Sequence, residues 1–413
     1  MRVVLIHRYF WPDTPPYAHI LRDIAVHLGA SGHQVHVLTC QPSYNRSAAG
    51  RAPGSERLAA GVEVCRWSVL PDRRSGILKL LNLMLFCTRL LLARRHIADA
   101  DVVMAASTPP IVVANLVERL TRRHGARFVY HKQDVYPDVV VAPGIMRAGR
   151  TASLLRWIDA GTERRAARVV VLSEDMATTV VSRGARSDRV VTINNFDPWP
   201  DEVDPTVAYA PTAVRHPQAA ANGSLHVAFA GNLGRFQNLE TVFAALVLLR
   251  DDARVRFDFF GDGPLRRELE AIVSAQQLSG VRVHGYRPAG EVADFLRLEA
   301  DLGIVSLAPG VIRAAYPSKT MSYLRNGCPV LAVVEADSEL ARTIIAAGAG
   351  LHVDPSDPQA LAVALRQVAD RPSDLTGAGA RARALYRKQF SAERQLGRWE
   401  ALFESAARSG ADR

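Results

Sequence analysis

The stretch "LHVAFAGNLGRFQNLETVFAALVLLRD", Leu225 to Asp251, reads as strand, turn and helix in immediate succession. Up to Ala230 it is apolar apart from one histidine, as in a strand covered on both faces. Gly231-Asn232-Leu233-Gly234 interrupts that run, and from Leu239 the apolar residues return at helical spacing. The same unit repeats downstream. "VRFDFFGDGP" leads into "LRRELEAIVSAQQ", "VRVHGY" into "EVADFLRLE", and "DLGIVSL" into "AYPSKTMSYLRNGCPVLAV", Ala315 to Val333. Strands separated by helices imply a parallel sheet with helices on both faces, a doubly wound α/β domain.

Upstream the alternation is the same. "RVVLIHRYF", "QVHVLTC", "GVEVCRWSV", "ADVVMAAS", "ARFVYHKQD" and "ARVVVLSED" are strand-like, with helical patterns between them. Between the two halves "NNFDPWPDEVDPTVAYAPTAVRHPQAAANGS" carries five prolines and no periodicity, so it reads as a linker. The expected boundaries are 1–196 for a first domain, 197–224 for the linker and 225–385 for a second domain. A C-terminal helix over 386–413 is expected to pack back on the first domain. Ligands of such sheets bind beyond the carboxyl ends of the strands, so the expected site is a cleft between the domains.

Within 413 residues, 51 Lys+Arg stand against 41 Asp+Glu. This balance suits phosphate-bearing ligands or an anionic membrane surface. It also suits a plainly basic surface. Without an aromatic-plus-basic module, nucleic-acid binding is not expected. Cys40, Cys65, Cys87 and Cys328 lie far apart with no metal-ligand spacing, which suggests reduced thiols and a cytoplasmic location. The N-terminal "MRVVLIHRYF" reads as a strand rather than a leader. "GILKLLNLMLFCTRLLLARRH", Gly76 to His96, falls short of the roughly 20 apolar residues that span a bilayer. Lys79, Asn82 and Arg89 share one narrow side of it. Two readings stand: a peripheral contact with an anionic leaflet, or a buried helix of a large domain.

Three strand ends in the second half carry candidate binding residues: Gly231, Asn232, Gly234 and Arg235 in the first, Gly261 to Pro264 in the second, and Ser318 with Lys319 in the third. Glycine there permits close approach to a ligand and frees amides for oxygen anions. Pro317 and Ser318 mark a helix start, with Ser318 as its cap, and Asn326-Gly327 marks its stop. Lys319 is anomalous, because the first turn of a helix already presents about half a positive charge. A phosphate bound beside it would remove the anomaly. Singly each loop is a weak signal; together they suggest a nucleotide or sugar-nucleotide pocket.

With these motifs the chain resembles the retaining family 4 glycosyltransferases (glycosyl transferases group 1). The resemblance runs through "YFWPD…HLGASGHQVHVLT", "QDVYPDVVVAPGIM" and "VVVLSEDM…INNFD", then "AGNLGRFQNLETVFAAL", "FFGDGPLRRELE", "VHGYRP" and "PSKTMSYLRNGCPVLAV". "QDVYP" and the Pro-Ser-Lys helix are similar to the branch that transfers amino-deoxy sugars in bacterial surface polysaccharide synthesis. The resemblance implies the GT-B fold, two Rossmann-like domains facing across a cleft. It implies transfer of a sugar from a nucleoside-diphosphate sugar, UDP favoured, to a hydroxyl of a glycan or lipid-linked acceptor. Gly231, Gly234 and Arg235 would hold the donor diphosphate with Lys319 as the second cation. Gly261, Gly263, Tyr286 and Arg287 would hold the uracil end, Asp134 and His131 would face the sugar or acceptor, and Glu339 would reach the nucleotide or sugar.

The chain departs from the family pattern at Ala314 and Ser322, where many members carry glutamates, and at Glu240, where many carry lysine. Charge builds on the departing diphosphate, and preorganised donors stabilise it. No metal or cofactor beyond the nucleotide-sugar is expected, since Asp99-Ala100-Asp101 reads as a turn before a strand. Activity should survive EDTA. The alternatives are a transferase acting on a small natural product, a sugar-nucleotide epimerase, and a weakened nucleotide-sugar-binding subunit.

Overall fold

The computed structural model describes residues 1–44, 50–70, 76–198 and 223–408, so most of the expected linker, 199–222, lies outside the described residues. The chain forms two compact units. One comprises Met1–Val141, Met146–Pro198 and Ala392–Arg413, the other Ala142–Ile145 and Trp199–Ser391.

In the first unit the elements run β1 (Arg2–Ile6), α1 (Pro16–Ala30), β2 (Gln34–Cys40), β3 (Ser55–Ala59), β4 (Val62–Trp67), α2 (Gly76–Leu92), α3 (Arg94–Ala98) and β5 (Val102–Ala106). They continue with α4 (Val112–His124), β6 (Arg127–His131), α5 (Asp138–Val141), α6 (Arg150–Arg165), β7 (Arg168–Val171), α7 (Glu174–Ser182) and β8 (Val190–Thr192). The strand order is β3-β4-β2-β1-β5-β6-β7-β8. Every pair is parallel except β3 with β4. The all-parallel expectation therefore needs correcting at that edge, where "SERLA" turns back onto β4 and Gly61 takes a left-handed φ of 71°.

The second unit runs β9 (Leu225–Ala230), α8 (Leu239–Leu248), β10 (Val255–Phe260), α9 (Arg266–Ala275), β11 (Val281–Gly285), α10 (Ala289–Leu298) and β12 (Leu302–Ser306). There follow α11 (Lys319–Arg325), β13 (Val330–Val333), α12 (Glu339–Ala346), β14 (Gly350–Val353), α13 (Pro358–Asp370) and α14 (Ala378–Gln389). Its six strands are ordered β11-β10-β9-β12-β13-β14, all parallel. The order reverses between β9 and β12, the place where such sheets open a crevice at their carboxyl ends. The last helix, α15 (Ala392–Arg408), belongs to the first unit. Its Trp399, Leu402, Phe403 and Ala406 join the core built on Val3, Leu5, Ile20, Ile24 and Val35.

Among the described residues no helix is long and apolar enough to cross a membrane. The buried-helix reading of Gly76–His96 is corrected: only Asn82, Phe86 and Leu90 of α2 are buried. The polar side chain in mid-helix turns inward with Phe86 and Leu90, and most of the other leucines turn out.

Candidate functional site

At the switch point of the second unit, the loops after β9 and β10 are pressed together through glycine. A Cβ on Gly261 would sit 1.9 Å from the Gly231 carbonyl oxygen, and one on Gly263 would sit 2.4 Å from that of Leu233. Gly231 and Gly261 also take φ of 145° and 131°, which side chains disfavour. Their amides are not free, contrary to expectation. Gly231 N–H donates to Phe260 O (2.9 Å) and Gly261 N–H to Gly285 O (2.7 Å). Gly263 N–H donates to Asp262 Oδ1 (2.8 Å). These bonds brace the loops, because the close packing turns the Gly231 and Gly261 amides onto the next strand. The amides of Asn232, Gly234 and Arg235 have no acceptor among the described residues.

Lys319 reaches back from α11 to this turn. A Cβ on Gly231 would lie 3.4 Å from its Cε. The ammonium sits 3.8 Å from the centre of the Phe229 ring and donates to Gln237 Oε1. No carboxylate pairs with it among the described residues. Desolvation drives its pKa from 10.5 down to about 7. A cation so poorly compensated is held ready for an anion. Arg235 opens a short 3-10 turn, Arg235–Gln237, and its side chain is exposed without a protein partner among the described residues.

Tyr323, which sequence reading passed over, buttresses the same turn. It is fully buried, and Ala230 N–H donates to its hydroxyl at 2.7 Å. Gly303 makes room for it, since a Cβ there would lie 2.5 Å from the tyrosine ring. The Ser318 cap is corrected. Ser318 stands at the N-cap in αR backbone (φ −59°, ψ −26°), and its side chain makes no cap bond. Instead Thr320 N–H donates to Pro317 O (3.1 Å) and Met321 N–H to Ser318 O (3.2 Å).

The remaining candidates in this unit sit on other loops and helix ends. Tyr286 is exposed just past β11, and Arg287 pairs loosely with Glu291 (3.8 Å). Glu339 begins α12, capped by the Ser338 hydroxyl that accepts from Ala341 N–H. Glu335, not singled out by the sequence, accepts from Gly310 N–H at 2.5 Å.

In the first unit Asp134 follows β6. Its amide and that of Gln133 both donate to Ser107 Oγ (3.2 and 3.1 Å). The carboxylate has no partner among the described residues, and burial lifts its pKa to about 6 against the pull of Lys132. His131 lies wholly buried under Trp399. Its Nδ1 meets Tyr17 Oη at 2.8 Å and its Nε2 meets Gln133 at 2.8 Å. Desolvation holds it neutral, with a pKa of about 3. Both nitrogens are taken, so this residue orders Gln133 rather than facing a ligand.

Beneath Asp134 lies a charge network that no sequence pattern announced. Lys132 pairs with Asp159 and with Glu163 (2.6 Å), all fully buried. Arg183 donates to Tyr136 O (3.0 Å) and pairs with Asp138, which also holds Arg156 at 2.7 Å. The segment Lys132–Asp138 is thereby tied at both ends. Asp101, half of the only Asp-x-Asp, accepts from Arg2 N–H (2.7 Å), which fits the expected turn.

Comparison with known proteins accords with this geometry. Residues 17–195 match the family model "Glycosyl transferase 4-like domain", and 224–371 match "Glycosyl transferases group 1". WbjE of Pseudomonas aeruginosa, named as a probable glycosyltransferase, is 26% identical over 76% of each chain. WcaI of Escherichia coli (strain K12), whose name assigns it provisionally to colanic acid biosynthesis as a glycosyl transferase, is 24% identical over 89% of this chain and 92% of its own. Among solved structures, sucrose-phosphate synthase of Thermosynechococcus elongatus superposes with a TM-score of 0.73 at 16% identity, covering 98% of both chains. HepE of Anabaena in complex with UDP superposes with a TM-score of 0.70 at 15% identity, over 98% of this chain and 100% of that one. With both halves matched and two doubly wound units observed, the chain belongs to the group 1 glycosyltransferases and has their GT-B fold.

Proposed function

We propose that this glycosyltransferase takes its sugar from a UDP-sugar, retains the anomeric configuration, and delivers it to a hydroxyl of a lipid-linked saccharide in surface-polysaccharide synthesis. The reaction belongs to the cytoplasmic face of a membrane, with peripheral contact through residues 76–96. The observation that carries the reading is the Lys319 ammonium held beside Gly231 with no carboxylate to neutralise it. HepE, solved with UDP and with UDP-glucose, supports the donor class. WcaI, by its name, supports the pathway class.

In this reading Lys319, Arg235 and the amides of Asn232 and Gly234 receive the diphosphate. As the glycosidic bond breaks, negative charge grows on the leaving phosphate, and donors already in place stabilise it without reorganising. Gly261 and Gly263, which let the two loops pack, would shape the uridine side of the site, with Tyr286, Arg287, Ser318 and Glu339 around it. The acceptor proton passes to the leaving diphosphate or to Asp134. No cofactor or metal takes part. A thermal-shift screen of UDP-, GDP- and TDP-sugars tests the donor, because a bound ligand raises the melting temperature by mass action. Stabilisation by UDP compounds alone is expected. Arg235→Ala should lower transfer about a hundredfold or more if it removes one charge-stabilising contact. Equal stabilisation by all three classes, or an unchanged Arg235→Ala rate, overturns the reading.

A further inference from the structure

Helix α2 is amphipathic in the inverted sense. On its outward side Ile77 is 73% exposed, Leu80 57%, Met84 58% and Leu92 78%, and Leu81, Leu85 and Leu91 are exposed beside them. These positions recur at the three- and four-residue spacing of one helix face. Two bonds fix the rotation that turns them out. Asn82 Oδ1 accepts from Leu70 N–H (2.9 Å), and Asn82 Nδ2 donates to Leu70 O (3.0 Å). Phe86 packs edge-on against Trp67, at 5.6 Å between ring centres, as a second pin. On the outward face the polar exception, Thr88, donates to Met84 O (2.9 Å), so it asks nothing of solvent.

Apolar area of this kind is costly to leave in water, and an ordinary monomer does not concentrate it on one helix. We propose that the outward face of α2 docks on an anionic lipid surface. Charge supports lipid over protein as the occupant. No Asp or Glu occurs from Gly76 to Ala98, whereas Lys79, Arg89, Arg94 and Arg95 do. Lys79 is exposed near one end of the helix, and Arg94 and Arg95 follow the other. A helix of 17 residues is about 25 Å long. It would lie in the interfacial plane with its aliphatic row in the acyl region and its terminal cations at the headgroups. The composition supports the same choice. Protein interfaces draw their affinity from Trp, Tyr and Arg anchors, and this face offers flexible leucine and methionine. The proposal deepens the lipid-linked acceptor reading, and takes from it only the reason for being at a membrane.

The test uses the full chain and vesicles of phosphatidylcholine with or without phosphatidylglycerol. Wild type should co-sediment with the anionic vesicles and remain in solution with the neutral ones. Leu80→Gln with Met84→Gln replaces two exposed side chains that fold stability does not need, and should lower vesicle partitioning about a hundredfold. Arg94→Gln with Arg95→Gln should lower it about tenfold or more and weaken its salt sensitivity. Ile345→Gln, 53% exposed on the other unit, should leave partitioning unchanged. Equal sedimentation of wild type and the Leu80/Met84 variant overturns the proposal. So does a wild type that is dimeric where that variant is monomeric, since a second copy would then cover the face. Sugar transfer is read separately on a lipid-linked saccharide presented in neutral detergent micelles. Vesicle binding without any transfer would fail the acceptor reading and leave the docking face standing.

Discussion

Replacing Lys319 with methionine should make the protein more stable at neutral pH while weakening its hold on the donor. Folding lowers the lysine pKa from 10.5 to about 7 by desolvation. Below pH 7 both folded and unfolded chains carry the proton, so the full cost of burying the charge is present. Between pH 7 and 10.5 the unfolded chain binds a proton that the folded chain does not, and stability rises with pH. A drop of that size caps the penalty at about 5 kcal/mol, at 1.4 kcal/mol per pH unit. The Gln237 bond, the Phe229 ring and residual solvent contact are already included in the folded state, and surface screening reduces the figure to about 2–4 kcal/mol. Methionine keeps most of the stem volume without the charge. Urea unfolding of wild type and Lys319→Met, followed by circular dichroism, measures the gap directly. At pH 6 the variant should be the more stable. By pH 9 the gap should have shrunk by about half or more. A variant that is less stable at pH 6, or a gap indifferent to pH, would refute the claim that a strained cation waits at Gly231.

Three further outcomes follow from the same geometry. Tyr323→Phe leaves the partly buried Ala230 N–H without its acceptor, so it should cost about 1–3 kcal/mol and weaken UDP binding together, by melting and calorimetry. Gly261→Ala drives a methyl into the Gly231 carbonyl, 1.9 Å away, and should abolish UDP binding and lower the melting temperature by several degrees. If Asp134 takes the acceptor proton, kcat/KM should fall below a pH of about 6, where burial holds its carboxyl, and Asp134→Asn should lose that limb.

Alternation of apolar strands and helices was legible because parallel strands covered on both faces leave unmistakable runs, as in "VVMAA" of β5 and "LGIVS" of β12. β3 escaped notice because "SERLA" is a short edge strand whose side chains are mostly polar or partly exposed. Lys319 stood out through its conflict with the helix dipole. Its partner Gln237 could not be foreseen, being 82 residues earlier in the chain. The glycines of the two loops stand at the strand ends where the sequence puts them, yet the amides of Gly231, Gly261 and Gly263 serve the loops' own packing. Only coordinates reveal which donors remain at Asn232, Gly234 and Arg235. His131 illustrates the same limit. A histidine next to a candidate acid looks like a ligand-facing group, and only the closeness of Tyr17, Gln133 and Trp399 shows it enclosed. The charge network around Lys132 joins residues just after β6, within α6 and just after α7 that share no local pattern. In α2 the sequence exposed the stripe but not its direction, because rotation was set by the two bonds from Asn82 to a residue outside the helix.

The most direct test of the account is the proton balance of UDP binding. Calorimetric titration at pH 8 in buffers of different ionisation enthalpy measures protons taken up per nucleotide. If the diphosphate restores the charge on a lysine whose free pKa is about 7, uptake should be about 0.9 proton per UDP, absent in Lys319→Met. Binding heats that are the same in every buffer, or an uptake that survives in the variant, would contradict it.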